Sequence, residues 1–132
     1  MVYYLYHILT GFKLKEKVMP YIETKLSIKL DETQKNDLQI KLTNAVESAL
    51  SKPKAYIMAS IEDNKSLYMA GEQIEKGAYI AIRMLGNTTK PACRILTNDI
   101  CEILNKDYNI DSSKVYISYH PVELWGWNNM MF

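Results

Sequence analysis

The side chains able to do chemistry are few and widely spaced. Cys93 and Cys101 stand eight positions apart, which in a helix separates them by about 12 Å, beyond the roughly 7 Å between Cα atoms that a disulfide spans. They are expected as free thiols, compatible with a reducing compartment. His120 precedes Pro121 and the other histidine, His7, is far away in the chain, so no metal site is assigned. Arg83 and Arg94 are the only arginines. Pro20 follows Met19, and a proline nitrogen inside a peptide bond is no base, because its lone pair is delocalised into the carbonyl. Taken alone, Pro20 reads as a turn or edge residue, and Lys52, just before Pro53, as a solvated cation at a helix C-terminus. Tyr116, in the run Val115-Tyr116-Ile117, reads as a core strand residue whose hydroxyl needs a partner.

These residues must be positioned by one domain, since 132 residues are too few for two ordinary ones. Apolar residues make up 48% and charged residues 23%, the proportions of a soluble globular chain rather than a disordered or fibrous one. Sixteen Lys plus Arg balance 15 Asp plus Glu, so no broad field attracts a phosphate backbone or an anionic membrane; neither nucleic acid nor membrane is an expected partner.

The composition breaks near residue 19. Residues 1–18 hold an apolar stretch of about ten residues, too short to span a bilayer, followed by Lys13, Lys15, Glu16 and Lys17. A secretory signal has the reverse order, positive charge first and small residues after. Residues 1–19 are therefore set apart from a domain at 20–132. An upstream extension from a misassigned start codon is the favoured reading; an extra strand or helix, or a weak anchor, are the others.

The spacing predicts a strand over Tyr21 to Ile28 through Ile22, Leu26 and Ile28. Asp31 with Gln34 three residues later predicts a capping box. Leu38, Leu42, Ala45, Val46 and Ala49 form one helix face that ends at Lys52-Pro53. Ala55 to Ile61 reads as a buried strand, and Asp63-Asn64-Lys65 as a turn. The order then repeats: a strand over Gly77 to Leu85, a helix from near Pro91 with Ala92, Ile95, Leu96, Ile100, Ile103 and Leu104 as its stripe, Asn109 as a left-handed end, and a strand at Val115 to Tyr119. Ala55-Tyr56-Ile57 and Val115-Tyr116-Ile117, sixty positions apart, suggest two copies of one unit. The expected fold class is α/β, with two strand-helix-strand repeats giving a four-stranded sheet under two helices. Strands this apolar on both sides would need their uncovered face buried, most simply by further copies of the chain.

Met19-Pro20, Lys52-Pro53 ahead of Tyr56-Ile57, Val115-Tyr116-Ile117, and Trp125-Gly126-Trp127-Asn128-Asn129 with the final Phe132 occur in this order. Together they make residues 20–132 resemble the macrophage migration inhibitory factor-like tautomerases. The resemblance implies a homotrimer whose sheets enclose a channel, with a site at each subunit interface. It also implies a cofactor-free keto-enol tautomerase of phenylpyruvate-like or dopachrome-like compounds, with a small aromatic 2-keto acid-like substrate. An N-terminal proline, matched by Pro20, would be the general base. Lys52 would meet the substrate carboxylate and lower the proline's affinity for a proton. Leu85 matches a position whose backbone amide holds the substrate, Tyr116 of a neighbouring subunit would donate a hydrogen bond, and Trp127 would supply an aromatic wall.

Departures from the pattern are informative. Ser118 stands where asparagine is usual, which alters one substrate hydrogen bond, and Met84 where serine is common, which implies a more apolar pocket. Gly77 and Ile80 occupy the places of a Cys-x-x-Cys pair, so the resemblance supports no thiol-oxidoreductase role. The segment between Tyr116 and Trp127 is shorter by about two residues and Trp125 is large, implying a narrower mouth. The alternative functions are a cytokine-like signalling or host-interaction factor that binds a cell-surface receptor, with the pocket only inherited, or a trimeric binding scaffold without catalysis because Pro20 is blocked. The expected location is cytoplasmic, or secreted without a signal peptide.

Overall fold

The computed structural model describes residues 19–132; the expectations for residues 1–18 lie outside the described residues. Strand β1 (Tyr21–Leu26) leads into helix α1 (Glu32–Leu50), a single 3-10 turn (Lys54–Tyr56) and β2 (Met58–Glu62). A small hairpin follows, β3 (Tyr68–Met69) and β4 (Glu72–Gln73). The second unit comprises β5 (Ala78–Leu85), α2 (Lys90–Tyr108), a 3-10 turn (Ser112–Lys114) and β6 (Val115–Val122). A last hairpin, β7 (Gly126–Trp127) and β8 (Met130–Met131), closes the chain.

The four long strands form one sheet in the order β2-β1-β5-β6. β1 pairs with β2 in parallel, β5 with β6 in parallel, and β1 with β5 antiparallel, so the two units meet head to tail. Both helices lie on the sheet face that carries Ile22, Leu26, Ile80, Ile82 and Met84. Leu38, Leu42 and Val46 from α1 and Leu96, Ile100 and Leu104 from α2 are fully buried there, each contributing on the order of 2 kcal/mol.

Local signals act where the residues dictate. Asp31 accepts the Gln34 amide at 2.8 Å and Gln34 Oε1 accepts the Asp31 amide at 2.9 Å, closing the capping box. Thr89 caps α2 through the Ala92 amide at 3.2 Å, with Pro91 in the first turn, where no N–H is needed. Ser51 and Asn109 end the helices in the left-handed region, at φ 54° and 57°. Tyr119 locks β6 to α2, its hydroxyl 2.8 Å from Thr97 Oγ1 and donating to the Cys93 carbonyl at 3.1 Å. Burial pushes that phenol up to about 12.

Four expectations are corrected. Ala55 and Tyr56 are in the 3-10 turn rather than a strand, because Pro53 at φ −63° starts a turn in which the Tyr56 amide bonds the Pro53 carbonyl at 3.1 Å. The repeat is 58 residues, not sixty: α1 and α2 begin at 32 and 90, their caps at 31 and 89, and the 3-10 turns at 54 and 112. Ile95 is 57% exposed, off the buried stripe. Finally, the face of the sheet away from the helices is mixed rather than apolar throughout. By register it carries Tyr21, Glu23 and Lys25 of β1, Met58, Ser60 and Glu62 of β2, Tyr79, Ala81, Arg83 and Leu85 of β5, and Tyr116, Ser118, His120 and Val122 of β6.

Several of those polar groups are paired with each other. Arg83 Nη1 donates to Glu23 Oε1 at 2.8 Å. Tyr21 OH lies 2.8 Å from Ser60 Oγ, and Tyr79 OH 2.6 Å from Ser118 Oγ, the same bond repeated 58 residues on.

Candidate active site

Because the two units meet head to tail, the start of β1, the start of β2 and the ends of β5 and β6 share one end of the sheet. Pro20, immediately before β1, is buried there and its carbonyl accepts the Met58 amide at 3.0 Å. Leu85 closes β5 at the same end and is 3% exposed. Gly86 then turns the chain at φ 84°, a value that disfavours any side chain, and its amide donates to the Val122 carbonyl at 3.1 Å.

Lys52 reaches this end through α1. The left-handed Ser51 ends the helix, and the Lys52 amide then bonds the Glu47 carbonyl at 3.2 Å. Its charge therefore stands at the carbonyl end of the helix, a position the dipole favours. Pro53 and the 3-10 turn carry the chain on to Tyr56.

Trp127 arrives from the other edge of the sheet. Asn128 and Asn129, at φ 52° and 61°, make the tight turn between β7 and β8 that asparagine tolerates best after glycine. Trp125 and Phe132 close the open end of that hairpin by reciprocal N–H···O bonds of 2.9 and 3.3 Å. Trp127 then meets Tyr56 edge-on, with centroids 5.6 Å apart, and stacks on Phe132 at 6.5 Å. Leu85, Gly86, Val122, Leu124 and Phe132 line a groove of about 690 Å³ at the same end, within the range that holds small-molecule ligands.

The structure thus brings Pro20, Lys52, Leu85 and Trp127 to one end, and it adds Tyr56 and Phe132, which belong to the ordered motif set but carry no site role there. Their only prior signal was their place in the ordered motif set. Met84, expected to make the pocket more apolar, instead points under the helices and is fully buried in the core. Tyr116 and Ser118 are elsewhere. Tyr116 pairs with Tyr79 and Ser118 with Ala81, six and four residues along β5 from Leu85, or about 20 and 13 Å. Tyr116 is 66% exposed and is no core residue.

The remaining thiol chemistry is limited. Gly77 is packed so closely that a Cβ there would lie 2.7 Å from Ile74 Cγ2 and 3.0 Å from the Lys114 carbonyl oxygen. Both cysteines are free, and burial pushes the Cys101 thiol up, away from a reactive thiolate. Among the described residues no group of three or more His, Cys, Asp or Glu is placed to hold a metal ion, and no helix is long and apolar enough to cross a membrane.

A doubled strand-helix-strand unit, with a proline at the lip of its first strand and a lysine-proline turn beside it, defines a tautomerase-type fold. The profile of macrophage migration inhibitory factor (MIF) matches residues 19–132, and the chain belongs to that family. Macrophage migration inhibitory factor of Xenopus laevis is 29% identical over 93 residues, covering 69% of this chain and 80% of that one. The structure of Leishmania major MIF2 superposes with a TM-score of 0.79 at 23% identity, covering 86% of this chain and 97% of that one. A fused 4-OT, described as a symmetric trimer, superposes with a TM-score of 0.74 at 16% identity, covering 83% and 92%.

Proposed function

We propose that the chain is a cofactor-free keto-enol tautomerase of small aromatic 2-keto acids, working as a homotrimer from a mature N-terminus at Pro20. The observation that carries this reading is that Pro20, Lys52 and Leu85 lie at one end of the sheet, the end that also holds the Tyr56, Trp127 and Phe132 rings. Membership of the MIF family and the trimeric assembly of the fused 4-OT support it.

In this reading Lys52 receives the substrate carboxylate and so fixes the α-carbon over Pro20. The Pro20 nitrogen, once a free secondary amine, takes the α-proton. Apolar surroundings and the neighbouring ammonium of Lys52 both disfavour its protonated form, which keeps it a base near neutral pH. Negative charge passes to the keto oxygen, where Tyr116 of a neighbouring subunit donates a hydrogen bond and the Leu85 backbone amide helps to hold the substrate. The proton is then returned to give the other tautomer. Trp127 covers the ring, and Ser118 of the same neighbouring strand meets the far end of the molecule.

Residues 1–19 are read as absent from the active form, because any acyl group on Pro20, Met19 included, removes the base. Phenylpyruvate tautomerisation should therefore be seen with protein beginning at Pro20, and be lost in the Pro20→Gly variant and in the chain of 132 residues. Equal rates in all three would end the proton-transfer claim.

A second reading rests on Met19, which is 3% exposed and joined to Pro20 by a peptide bond in the chain as given. Kept in that form, the protein is a cytokine-like or host-interaction factor, released without a signal peptide, that binds a cell-surface receptor. Export from intact cells, with receptor binding indifferent to Pro20→Gly, favours that function; strictly intracellular protein opposes it.

A further inference from the structure

Resting on the tautomerase reading, we propose that His120 is a positioning residue. The protonation of its ring sets whether the Ser118 hydroxyl offers the substrate a lone pair or a proton, and so which group at the far end of the substrate is accepted. Ser118 Oγ lies 2.6 Å from His120 Nε2 and 2.6 Å from Tyr79 OH, all three half-buried on the sheet face away from the helices. Nothing in the motif set pointed to His120, because the bond joins residues two apart on a strand and exists only once that strand is formed.

A serine hydroxyl has one proton and two lone pairs. When Nε2 is unprotonated, the serine must donate to it, and Tyr79 must then donate to the serine. One lone pair remains, so Ser118 can only accept from a ligand. When Nε2 carries a proton, the ring donates to Ser118, and the serine proton is released toward Tyr79 or the ligand. The site then presents a donor. With Lys52 at the carboxylate and Pro20 at the α-carbon, the neighbouring strand meets the rest of the substrate. A ring hydroxyl, which can donate, is thus preferred while the imidazole is neutral with its proton on Nδ1 and Nε2 bare.

The groups facing His120 are few. Arg83 is its register partner on β5, but its guanidinium is committed to Glu23 of β1 at 2.8 Å. Tyr79 lies beyond Ser118, with Lys25 as its own register partner on β1 and Tyr116 on β6.

The test compares 4-hydroxyphenylpyruvate with phenylpyruvate on protein beginning at Pro20, as a ratio of kcat/KM between about pH 5 and 8. Because it is a ratio on one enzyme, ionisation of Pro20 and Lys52 cancels. The preference for the hydroxylated substrate should fall by about two- to tenfold toward acid, the worth of one neutral hydrogen bond. The fall should come from KM. His120→Gln, which keeps a hydrogen bond to Ser118 but cannot titrate, should make the ratio independent of pH, and Ser118→Ala should abolish the preference throughout. A flat ratio in the wild type, or the same pH dependence in His120→Gln or Ser118→Ala, overturns the proposal while leaving the tautomerase reading intact. Inactivity toward both substrates removes both readings together.

Discussion

Two crippled variants should restore each other if the site is shared between protomers. Pro20→Gly removes the base. Tyr116→Phe removes a hydrogen bond to the charge that develops on the keto oxygen, about 1.5–3 kcal/mol, or roughly ten- to a hundredfold in rate. Tyr116 is opposite Tyr79 in the sheet, and Leu85, at the proline end, is six residues further along the same strand, about 20 Å away. No rotamer of a tyrosine covers that distance, so the base and the hydroxyl of one protomer cannot meet on one substrate. When the two variants are unfolded, mixed in equal amounts and reassembled at random, each interfacial site draws its base from one chain and its hydroxyl from another. About one site in four then holds both intact residues, giving about a quarter of wild-type activity per site. A site contained within one chain would always carry one defect, and the mixture would show only the mean of the two parents, about 5% of wild type or less. Native mass spectrometry confirms the exchange, and the phenylpyruvate assay reads the outcome. An exchanged mixture no more active than that mean would refute the division of the site.

Two further predictions concern the scaffold. Thr24 is fully buried on the helix-covered face of β1 and its hydroxyl has no partner among the described residues; Thr24→Val should stabilise the fold by about 1–2 kcal/mol in urea unfolding at unchanged m, whereas Thr24→Ser should destabilise it. Asp63 accepts the Leu30 amide at 2.8 Å and pairs with Lys35 at 3.3 Å, which hold its carboxyl below the ordinary value of 3.8. Its contribution is present above that value and is lost as pH falls through the lowered one, so Asp63→Asn should weaken the fold at neutral pH and show a shallower loss of stability in acid.

What was legible in the chain was local. The capping box at Asp31, the left-handed Asn109 and the two apolar helix stripes each depend on residues within a turn or two, and each is found where the spacing put it, Ile95 of the second stripe excepted. Contacts between distant segments left weaker traces. Tyr56 was placed in a strand because tyrosine and isoleucine favour one, but Pro53 imposes a turn, and only that turn aims the ring at Trp127. The polarity of the uncovered sheet face was obscured for a similar reason. Tyr79, Ser118 and His120 look unremarkable in sequence, and become one hydrogen-bonded chain only when β5 and β6 pair in their actual register. β6 likewise runs past Tyr119, where the spacing ended it, through Pro121 to Val122, because an edge strand has one side free of the ladder and accommodates a residue without an N–H.

The duplication explains why the fold alone does not account for the chemistry. A shift of 58 residues carries Pro20 onto Ala78, Lys52 onto Ile110 and Tyr56 onto Lys114, and it carries Met58 onto Tyr116 and Ser60 onto Ser118. The two units run head to tail, so the sheet has two structurally equivalent ends. At one of them stand the proline, the lysine and the aromatic ring. At the other the same backbone positions hold a small apolar residue, an isoleucine buried in the core and an exposed lysine. The tyrosine-serine bond is kept in both halves, because it ties neighbouring strands together wherever they pair, but only the second copy is continued by a histidine two residues on; the first has Glu62 there. Symmetry therefore accounts for the scaffold, and its local breaking accounts for the site. The first unit supplies the proposed base and cation, the second the hydroxyl groups, and their separation within one protomer is what makes assembly with further copies part of the proposed mechanism.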